Sequence, residues 1–466
     1  MEQIILVQKK LLSLVEFVKP FLPFLNSHMV SFLTDNYWLK FVPNDVRIEI
    51  ENMGHEAFMT LFHDIYSGTQ FNSGYKNTIN FLKSTNSLQL LDGDVCPTLS
   101  DLCLKLNINK YYLPLEGLQK IMSDKKTHEV NIVSAITNFL CRNSESSLTV
   151  VDIGGGKGYL SSLLAMEYKL KVIGVDSNQT NTHGAAKRDL KLKKHWQGIT
   201  SKLSRHLNDM AISNSSQDEL YKLITQYVDE STNLKELVKQ SYPNDEFSGI
   251  CMTGLHTCGN LASSSLRIYS SNNDVKSILN VGCCYHLLDE QYDDTDSTSN
   301  NYGFPMSNLL HMDKFALGRN ARMLASQSID RKVHLKENLN KSLLYRAVLE
   351  LLIHKHCDKN LDVHVGRIGA KCKTFSEYVN TVSERKNLGL KFSDELLEDL
   401  IKNHEENWLK LQSYHALKMC FAPILELIIV LDRYLYLLEN GYNNTYLIKL
   451  FDPVISPRCY ALISVK

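Results

Sequence analysis

The spacing of apolar residues changes twice along the chain. Residues 1–120 carry apolar side chains at intervals of three and four, as in "IILVQKKLLSLVEFVKPFLPFL", which predicts helices. From Thr149 onward, short β-branched runs alternate with helical or loop segments. Residues from 306 to about 440 return to the helical pattern, and the last twenty residues have the pattern of strands.

Five apolar runs predict five strands of a mainly parallel sheet, because strands that alternate with helices form doubly wound sheets. These runs are "LTVVDIG", "KVIGVD", "KLITQYVD", "SGICMTGL" and "KSILNVGCC". The segments "TYLIKLFD" and "RCYALISVK", within residues 445–466, predict a hairpin that completes the sheet beside strand five. We therefore predict a seven-stranded α/β sheet. The predicted domains are a helical N-terminal domain at 1–120 and a second domain at 121–466, with a helical insertion at about 306–440.

Four glycines mark the boundary between the first strand and the next helix, in "TVVDIGGGKGYLSSLLA". Glycine permits a sharp turn and the close approach of a ligand, and the helix start adds free N–H groups. The spacing Asp152-x-Gly154-x-Gly156-x-Gly158 fits neither a G-x-G-x-x-G dinucleotide loop nor a P-loop. We interpret it as a cofactor loop, with a tight turn that holds no ligand as the alternative. The predicted loop residues are Asp152, Gly154, Gly155, Gly156 and Gly158.

Acidic residues follow the next two strands. Asp176 ends "KVIGVD", where a carboxylate can accept hydrogen bonds from both ribose hydroxyls of a nucleoside. Asp229 ends "ITQYVD" and is either a plain surface acid or, as the resemblance of the glycine loop to motif I of class I methyltransferases implies, a candidate for contact with an adenine amino group. Lys125, Lys126 and His128, ahead of strand one, are candidates for the cofactor entrance or for a solvated helix face.

Histidines and cysteines follow strands four and five, in "LHTCGN" and "GCCYH". The carboxyl ends of neighbouring parallel strands meet at one edge of the sheet, so these side chains are expected to converge. His256 is predicted to contact the cofactor. His256, Tyr285 and His286 are the predicted catalytic residues, which position the acceptor or remove its proton, a task that suits histidine. Structural hydrogen bonding by the two histidines is the alternative.

No metal site is predicted at these strand ends. His256, Cys258, Cys283 and His286 are of types that bind zinc. However, an H-x-C element followed by C-C-x-H with 24 residues between them is not a recognised zinc spacing. Cys283 and Cys284 are interpreted as small buried side chains at a strand end.

Composition narrows the class of protein. Lys and Arg total 51 and Asp and Glu total 51, so contact with RNA would need a local basic patch. The run "KRDLKLKKHW" (187–196) is such a patch, with a solvated helix face as the alternative. The 11 scattered cysteines are typical of reduced thiols, so we expect a cytoplasmic or nuclear protein without a disulfide-linked partner.

The most apolar late stretch is "FAPILELIIVLDRYLYLLEN". It contains Glu426, Asp432 and Arg433, which disfavour a membrane span and favour a buried helix. We therefore predict no membrane partner. No pattern in the sequence indicates an oligomeric state.

Six motifs together resemble the methyltransferase-like 25 family: "KKTHEV" (125–130), "GLHTCGNLA" (254–262), "NVGCCYH" (280–286), "FPMS" (304–307), "YRAVLE" (345–350) and "LFDPVISPRCYALI" (450–463). The resemblance implies a Rossmann-like class I methyltransferase fold and S-adenosyl-L-methionine as the cofactor. It also implies methyl transfer as the activity.

A weaker resemblance concerns the acceptor. The His-x-Cys-Gly and Cys-Cys elements are similar to those of tRNA 2′-O-methyltransferases of the acceptor-stem type, although Tyr285 separates Cys284 from His286 here. We accordingly expect RNA, including tRNA, as the substrate. Methylation of a protein, or an inactive binding module that keeps the fold, are the alternatives.

Overall fold

The structure is a computed structural model, and it describes residues 2–70, 74–105, 122–144, 147–207, 220–293, 302–335, 339–357, 368 and 372–466, without the side chains of 195–207. The strands within these ranges are β1 (Thr149–Ile153), β2 (Val172–Asp176), β3 (Tyr221–Thr225), β4 (Ile250–Cys258), β5 (Val275–Cys283), β6 (Thr445–Lys449) and β7 (Tyr460–Val465).

The α-helices within the same ranges are α1 (Glu2–Val18), α2 (Leu22–Asn26), α3 (Tyr37–Phe41), α4 (Asn44–Met53), α5 (His55–Ser67), α6 (Lys76–Leu88), α7 (Leu99–Lys105), α8 (Asp124–Arg142), α9 (Tyr159–Met166), α10 (Gln179–Leu207), α11 (Leu234–Ser241), α12 (Asn260–Ser271), α13 (Asn308–Met312), α14 (Arg319–Ala325), α15 (Ile329–Leu335), α16 (Ser342–His356), α17 (Phe375–Lys386), α18 (Asp394–Asn403), α19 (Glu405–Met419) and α20 (Ala422–Glu439).

The seven strands form one sheet in the order β3-β2-β1-β4-β5-β7-β6. β1 to β5 are parallel to one another, and β7 pairs antiparallel with both β5 and β6. The predicted seven-stranded α/β sheet, with the last two strands beside strand five, is confirmed. One boundary differs, because β3 ends at Thr225, four residues before Asp229.

Both faces of the sheet are buried, as expected for parallel strands. Val150 and Val172 pack with residues of α8 and α9 in one cluster, while their neighbours Val151 and Ile173 point to the opposite face and are equally buried. Because α8 leads into β1 through a short connection, it runs antiparallel to that strand. The N-terminal end of α8 therefore lies at the carboxyl ends of the strands.

The described chain divides into two compact units. The first comprises residues 1–15, 91–318 and 426–466 and contains the whole sheet. The second comprises residues 16–90 and 319–425 and is helical. These units do not follow the predicted boundary at 120, because parts of the N-terminal helical region and of the helical insertion fold together.

The second unit has an aromatic core. The rings of Phe24 and Tyr414 meet edge to face with 5.0 Å between their centroids, and Phe21 and Phe421 lie at the same separation. The ammonium of Lys418 is buried beside them and donates to the Ser27 carbonyl at 2.7 Å. Burial lowers the pKa of Lys418 to about 7. Aromatic packing and one buried amine therefore join the two chain segments of this unit.

The helical stretch Glu405–Glu439 is long and apolar enough to cross a membrane, judged by length and composition alone within the described residues. Inside the structure, 89% of its apolar window is buried, which is typical of a core helix. Glu426, Asp432 and Arg433 on this stretch are all buried. Asp432 accepts hydrogen bonds from the Met306 and Ser307 backbone N–H groups at 2.8 and 2.9 Å.

The side chains of His195 and Trp196, at the end of the basic run 187–196, lie outside the described residues.

Candidate active site

Two adjacent cavities open at the carboxyl ends of β1, β2 and β4. Their volumes are about 540 and 440 Å³, within the range of small-molecule sites. Gly154 and His256 line both of them. The first cavity also contacts Asp152, Gly155, Gly156 and Lys126, and the second contacts Asp176. The predicted glycine loop and the predicted acid of β2 therefore lie around the same space.

The conformation and packing of the glycine loop require residues without a side chain. Gly154 and Gly156 have φ angles of +70° and +53°, which residues with a Cβ rarely adopt. A Cβ on Gly154 would also lie 3.1 Å from Leu261, and a Cβ on Gly155 would lie 3.2 Å from the Asp152 carboxylate. The three glycines thus leave open, at the cavity wall, the volume that side chains would otherwise fill.

The position of Gly158 in the structure differs from the predicted position in a cofactor-binding loop. It ends the loop as the N-cap of α9 with φ at +72°. A Cβ there would lie 2.7 Å from the Tyr221 hydroxyl and 2.9 Å from the Ala185 Cβ, so the glycine faces packed side chains. A glycine is required here because the start of α9 packs closely against β3 and α10. We correct the predicted cofactor-binding role accordingly.

Asp176 lies at the tip of β2 and holds the loop. Its Oδ2 accepts a hydrogen bond from the Gly156 N–H at 3.0 Å. Its Oδ1 accepts from the Asn178 N–H at 2.8 Å and from the Asn181 amide at 3.1 Å. These three donors orient the carboxylate at the wall of the second cavity, where the sequence predicts a ribose contact.

Asp152 is a buried acid at the end of β1. The Ser161 hydroxyl donates to its Oδ2 at 2.5 Å. Burial raises the pKa of Asp152 to about 6, against the lowering effects of the Ser161 hydrogen bond and the Lys126 charge. The first cavity therefore contains a carboxyl group that readily accepts or loses a proton near neutral pH.

His256 joins the end of β4 to α8. Its backbone is in the left-handed region, with φ at +67°, at a register shift between Leu255 and Thr257. This local distortion turns the ring toward α8, and its Nε2 lies 2.9 Å from Oε1 of Glu129. Nδ1 of His256 has no hydrogen-bond partner among the described residues.

Glu129 is the residue that sequence reasoning missed. Its side chain is 1% exposed, and Oε1 also accepts a hydrogen bond from the Ser456 hydroxyl at 2.6 Å. Burial alone would raise its pKa, but the contacts with His256, Ser456 and Lys126 outweigh burial and lower it to about 2. The sequence does carry a signal, because Glu129 shares a helix stripe with the apolar Val133.

Asp229, the predicted adenine contact, is not among the residues that line the two cavities. The Asp229 carboxylate accepts hydrogen bonds from the Ser231 N–H and hydroxyl at 3.0 and 2.6 Å, and so closes its own loop. The second cavity is lined instead by Gln226, Tyr227 and Val228, which follow β3 directly. Tyr227 is 70% exposed and offers an aromatic face at the cavity. The sequence could have indicated these cavity-lining residues, because they follow the strand directly.

Tyr285 is buried in the core, contrary to its predicted catalytic role. Only 1% of its surface is exposed, and its hydroxyl donates to Glu426 at 3.0 Å. The guanidinium groups of Arg433 and Arg458 lie 5.8 and 5.7 Å from its ring centre. Burial, followed by the Glu426 charge, raises the pKa of Tyr285 well above its ordinary value. Tyr285 is a structural anchor for the end of β5, and we correct the prediction.

His286 lies in the 3₁₀ turn Tyr285–Leu287 and is half-buried. Its Nδ1 is buried without a hydrogen-bond partner among the described residues. The neighbouring Leu287, rather than His286, lines the second cavity. Of the two predicted histidines, the structure brings His256 to the cavities, and the catalytic role of His286 stays a prediction.

Comparison with known proteins defines the class of this site. A family model described as a methyltransferase domain matches residues 125–291, a span that contains β1 to β5 and His256. The chain therefore carries a methyltransferase domain on a Rossmann-like sheet.

The similarity to particular proteins extends over nearly the whole chain. The chain is 29% identical in sequence to the probable methyltransferase-like protein 25 of Homo sapiens, over 99% of this chain and 97% of the human protein. It is 28% identical to the protein of the same name from Mus musculus, over 98% and 96% of the two chains. The predicted resemblance to the methyltransferase-like 25 family is confirmed.

Among solved structures, coclaurine N-methyltransferase bound to N-methylheliamine and SAH matches 90% of this chain and 96% of its own. The sequence identity is 12% and the TM-score is 0.20.

Proposed function

We propose that this protein is an S-adenosyl-L-methionine-dependent methyltransferase whose cofactor occupies the two adjacent cavities. The observation that carries the proposal is the junction at Gly154 and His256, which line both spaces. An elongated ligand with an amino-acid end and a nucleoside end needs two such spaces on either side of a bare loop. The cofactor supplies an electrophilic methyl group on its sulfonium.

The polar groups of the first cavity fit an amino acid. Asp152 offers a carboxylate for an ammonium group, and Lys126 offers an ammonium for a carboxylate. Both side chains line the cavity and belong to the same unit of the chain. Together they supply one opposite charge for each charged group of an amino acid. We assign the methionine end of the cofactor to this cavity.

The second cavity fits a nucleoside. Asp176 lies at the tip of β2, where its carboxylate would accept hydrogen bonds from the ribose hydroxyls. Gln226 and Tyr227 lie on the next strand end, with an amide for hydrogen bonding and a ring for stacking on adenine. This assignment replaces Asp229 by residues that precede it in the loop after β3.

His256 is the residue that we assign to the acceptor. It lies where the two cavities meet, and the buried Glu129 holds Nε2 at 2.9 Å. A carboxylate behind an imidazole fixes the orientation and tautomer of the ring. The remaining Nδ1 would then accept a proton from the hydroxyl or amine that becomes methylated.

We further propose RNA as the acceptor, reached through the basic face of α10. Lys187, Lys191 and Lys194 are exposed on this helix. Arg188 of the same helix donates to the Lys157 carbonyl of the glycine loop at 2.8 Å. The basic side chains therefore begin next to the cofactor loop, where phosphate contacts would position a nucleic acid.

Calorimetric titration with S-adenosyl-L-methionine tests the cofactor. Asp176→Ala should weaken binding at least about tenfold, because hydrogen bonds to a charged group contribute roughly 1.5–3 kcal/mol. Asp229→Ala is the matched control, and its affinity should stay within about twofold because its carboxylate serves its own loop. Equal affinities of the two variants would remove Asp176 from the ribose.

Tritiated methyl transfer tests the acceptor class. Extracts of cells that lack this protein should incorporate label into RNA when the purified protein is added. Replacing Lys187, Lys191 and Lys194 by Gln should reduce incorporation while calorimetric cofactor affinity is unchanged. Label in protein instead of RNA would identify a protein methyltransferase, and cofactor binding without any label would favour a binding module.

A further inference from the structure

Three cysteine thiols converge beside the second cavity, in a cluster formed by Cys258, Cys283 and Cys284. Cys258 and Cys283 are register partners at the carboxyl ends of β4 and β5. Cys284 follows with φ at +51° and ψ at +49°, a left-handed conformation that is uncommon for residues with a Cβ. Strand register and this turn together bring three sulfur atoms to one point.

The distances between these sulfur atoms are short and nearly equal. Sγ of Cys258 lies 3.1 Å from Sγ of Cys283 and 3.4 Å from Sγ of Cys284, and the last two are 3.6 Å apart. Zinc–sulfur bonds of about 2.3 Å in a tetrahedron separate their sulfur atoms by about 3.8 Å. The three thiols would move apart by only about 0.2–0.7 Å to hold one ion.

A disulfide accounts for the cluster less well. A sulfur–sulfur bond of about 2.05 Å would join one pair and leave the third thiol without a role. It would also need the two atoms of the nearest pair to approach by roughly 1 Å, from 3.1 Å. A shared ion uses all three sulfur atoms at once.

The surroundings suit an anionic metal centre. Arg433 is 2% exposed, and among the described residues no carboxylate forms a salt bridge with it. Its Nη2 lies 3.5 Å from the Ser263 hydroxyl, and its Nε has no partner in the described part of the chain. A side chain on Gly282 would collide with this guanidinium, so the charge lies directly beside β5 next to Cys283.

One divalent ion held by three thiolates carries a net charge of minus one, which would compensate the buried cation of Arg433. Soft thiolate ligands select zinc over magnesium or calcium. Cys258 is exposed and lines the second cavity, whereas Cys283 is buried. Three protein ligands with an open side are the arrangement of reactive zinc sites.

We propose that Cys258, Cys283 and Cys284 form a three-thiolate zinc site at the edge of the second cavity, with the fourth coordination position open toward that cavity. The site reverses the sequence-based expectation of no metal. Its ligand set also differs from the His256, Cys258, Cys283 and His286 set considered from the sequence, because His256 is held by Glu129.

Zinc content and X-ray absorption test the proposal on the full-length protein. Protein prepared with Zn²⁺ and without chelators should contain one zinc per chain, bound by three sulfur atoms at about 2.3 Å. Cys258→Ser and, separately, Cys284→Ser should each weaken zinc binding at least about tenfold. Cys103→Ser is the matched control, because this half-buried cysteine on α7 is not part of the cluster.

Alkylation mapped by mass spectrometry gives a second readout. It uses the wild-type protein, so it does not require that a cysteine variant folds. Cys258 and Cys284 should react slowly in the zinc-loaded protein and rapidly after chelation, while Cys103 reacts equally in both. A disulfide between Cys258 and Cys283, or zinc content equal in the wild type and in both cluster variants, would overturn the proposal. Neither readout involves methyl transfer, so the zinc site and the proposed function can fail separately.

Discussion

Nε2 of His256 and Oε1 of Glu129 lie 2.9 Å apart, although 127 positions separate the two residues in the chain. The contact connects a distorted strand end to the first turns of α8. It places a buried carboxylate behind the imidazole that lines both cavities. A histidine backed in this way has a fixed orientation before any ligand arrives.

Glu129→Gln should destabilise the protein in a pH-dependent way. The folded-state pKa of Glu129 is about 2, below the ordinary 4.5, so its stabilisation is present above pH 4.5 and declines as pH falls toward 2. The shift corresponds to roughly 3 kcal/mol. Urea unfolding should show a loss of roughly 2–3 kcal/mol in the free energy of unfolding near neutral pH, narrowing below pH 4.5. A loss that grows on acidification would contradict this account.

Asp152→Asn should have the opposite pH dependence. The folded-state pKa of Asp152 is about 6, above the ordinary 3.8, so its ionisation costs stability above that pH and costs nothing below 3.8. The variant keeps an acceptor for Ser161 and should be more stable than the wild type by roughly 1–3 kcal/mol near pH 8. Thermal unfolding across this pH range should show the two proteins converging at acidic pH.

The same Asp152→Asn variant should bind the cofactor at least about tenfold more weakly, because an amide cannot pair with an ammonium. Calorimetry near pH 8 measures this loss, and Ser162→Ala serves as a control, because it removes a hydroxyl that donates to Asp189 and not to Asp152. Unaltered affinity with increased stability would show that Asp152 is a strained structural acid that does not contact the methionine end.

Gly158→Ala should destabilise the fold by roughly 2–4 kcal/mol. The substitution forces a Cβ to φ +72° and against Tyr221 and Ala185. Gly68→Ala is a control for backbone conformation, since Gly68 has φ at +73° and no atom lies within 4 Å of the position that a Cβ would occupy. The difference between the two variants in thermal unfolding measures packing alone. Equal losses would show that Gly158 is required for its backbone angle only.

Tyr285→Phe should lower stability and leave methyl transfer nearly unchanged. The variant removes the hydroxyl that donates to the buried Glu426, which should cost roughly 1–3 kcal/mol in the free energy of unfolding. The Arg458 contact to Glu426 at 2.8 Å remains. A large fall in turnover at unchanged stability, measured with saturating cofactor, would restore Tyr285 as a catalytic residue.

The sequence predicted the sheet well because its signals are local. Each of the five parallel strands appeared as a short apolar run, and Asp176 and His256 each fell at or near the end of one. In a parallel sheet, position at a strand end is enough to place a residue near the ligand edge. The loop of glycines was equally visible from its spacing.

The errors concern residues whose role depends on distant chain segments. Gly158 packs against Tyr221 and Ala185, and neither contact is visible in the loop sequence. Tyr285 is covered by α20, which lies far along the chain. Asp229 was placed at a strand end, but β3 stops at Thr225 and leaves it in a turn. Tertiary packing decides each of these cases.

The strand order has a consequence for how the molecule is made. β7 lies between β5 and β6, so neither neighbour can complete its pairing until β7 has been synthesised. Ser456, whose hydroxyl bonds to Glu129 behind His256, also follows β6 in the chain. A nascent chain that has not yet released this segment from the ribosome therefore has an unfinished pocket, and a variant that lacks β7 would leave two strand edges open to aggregation.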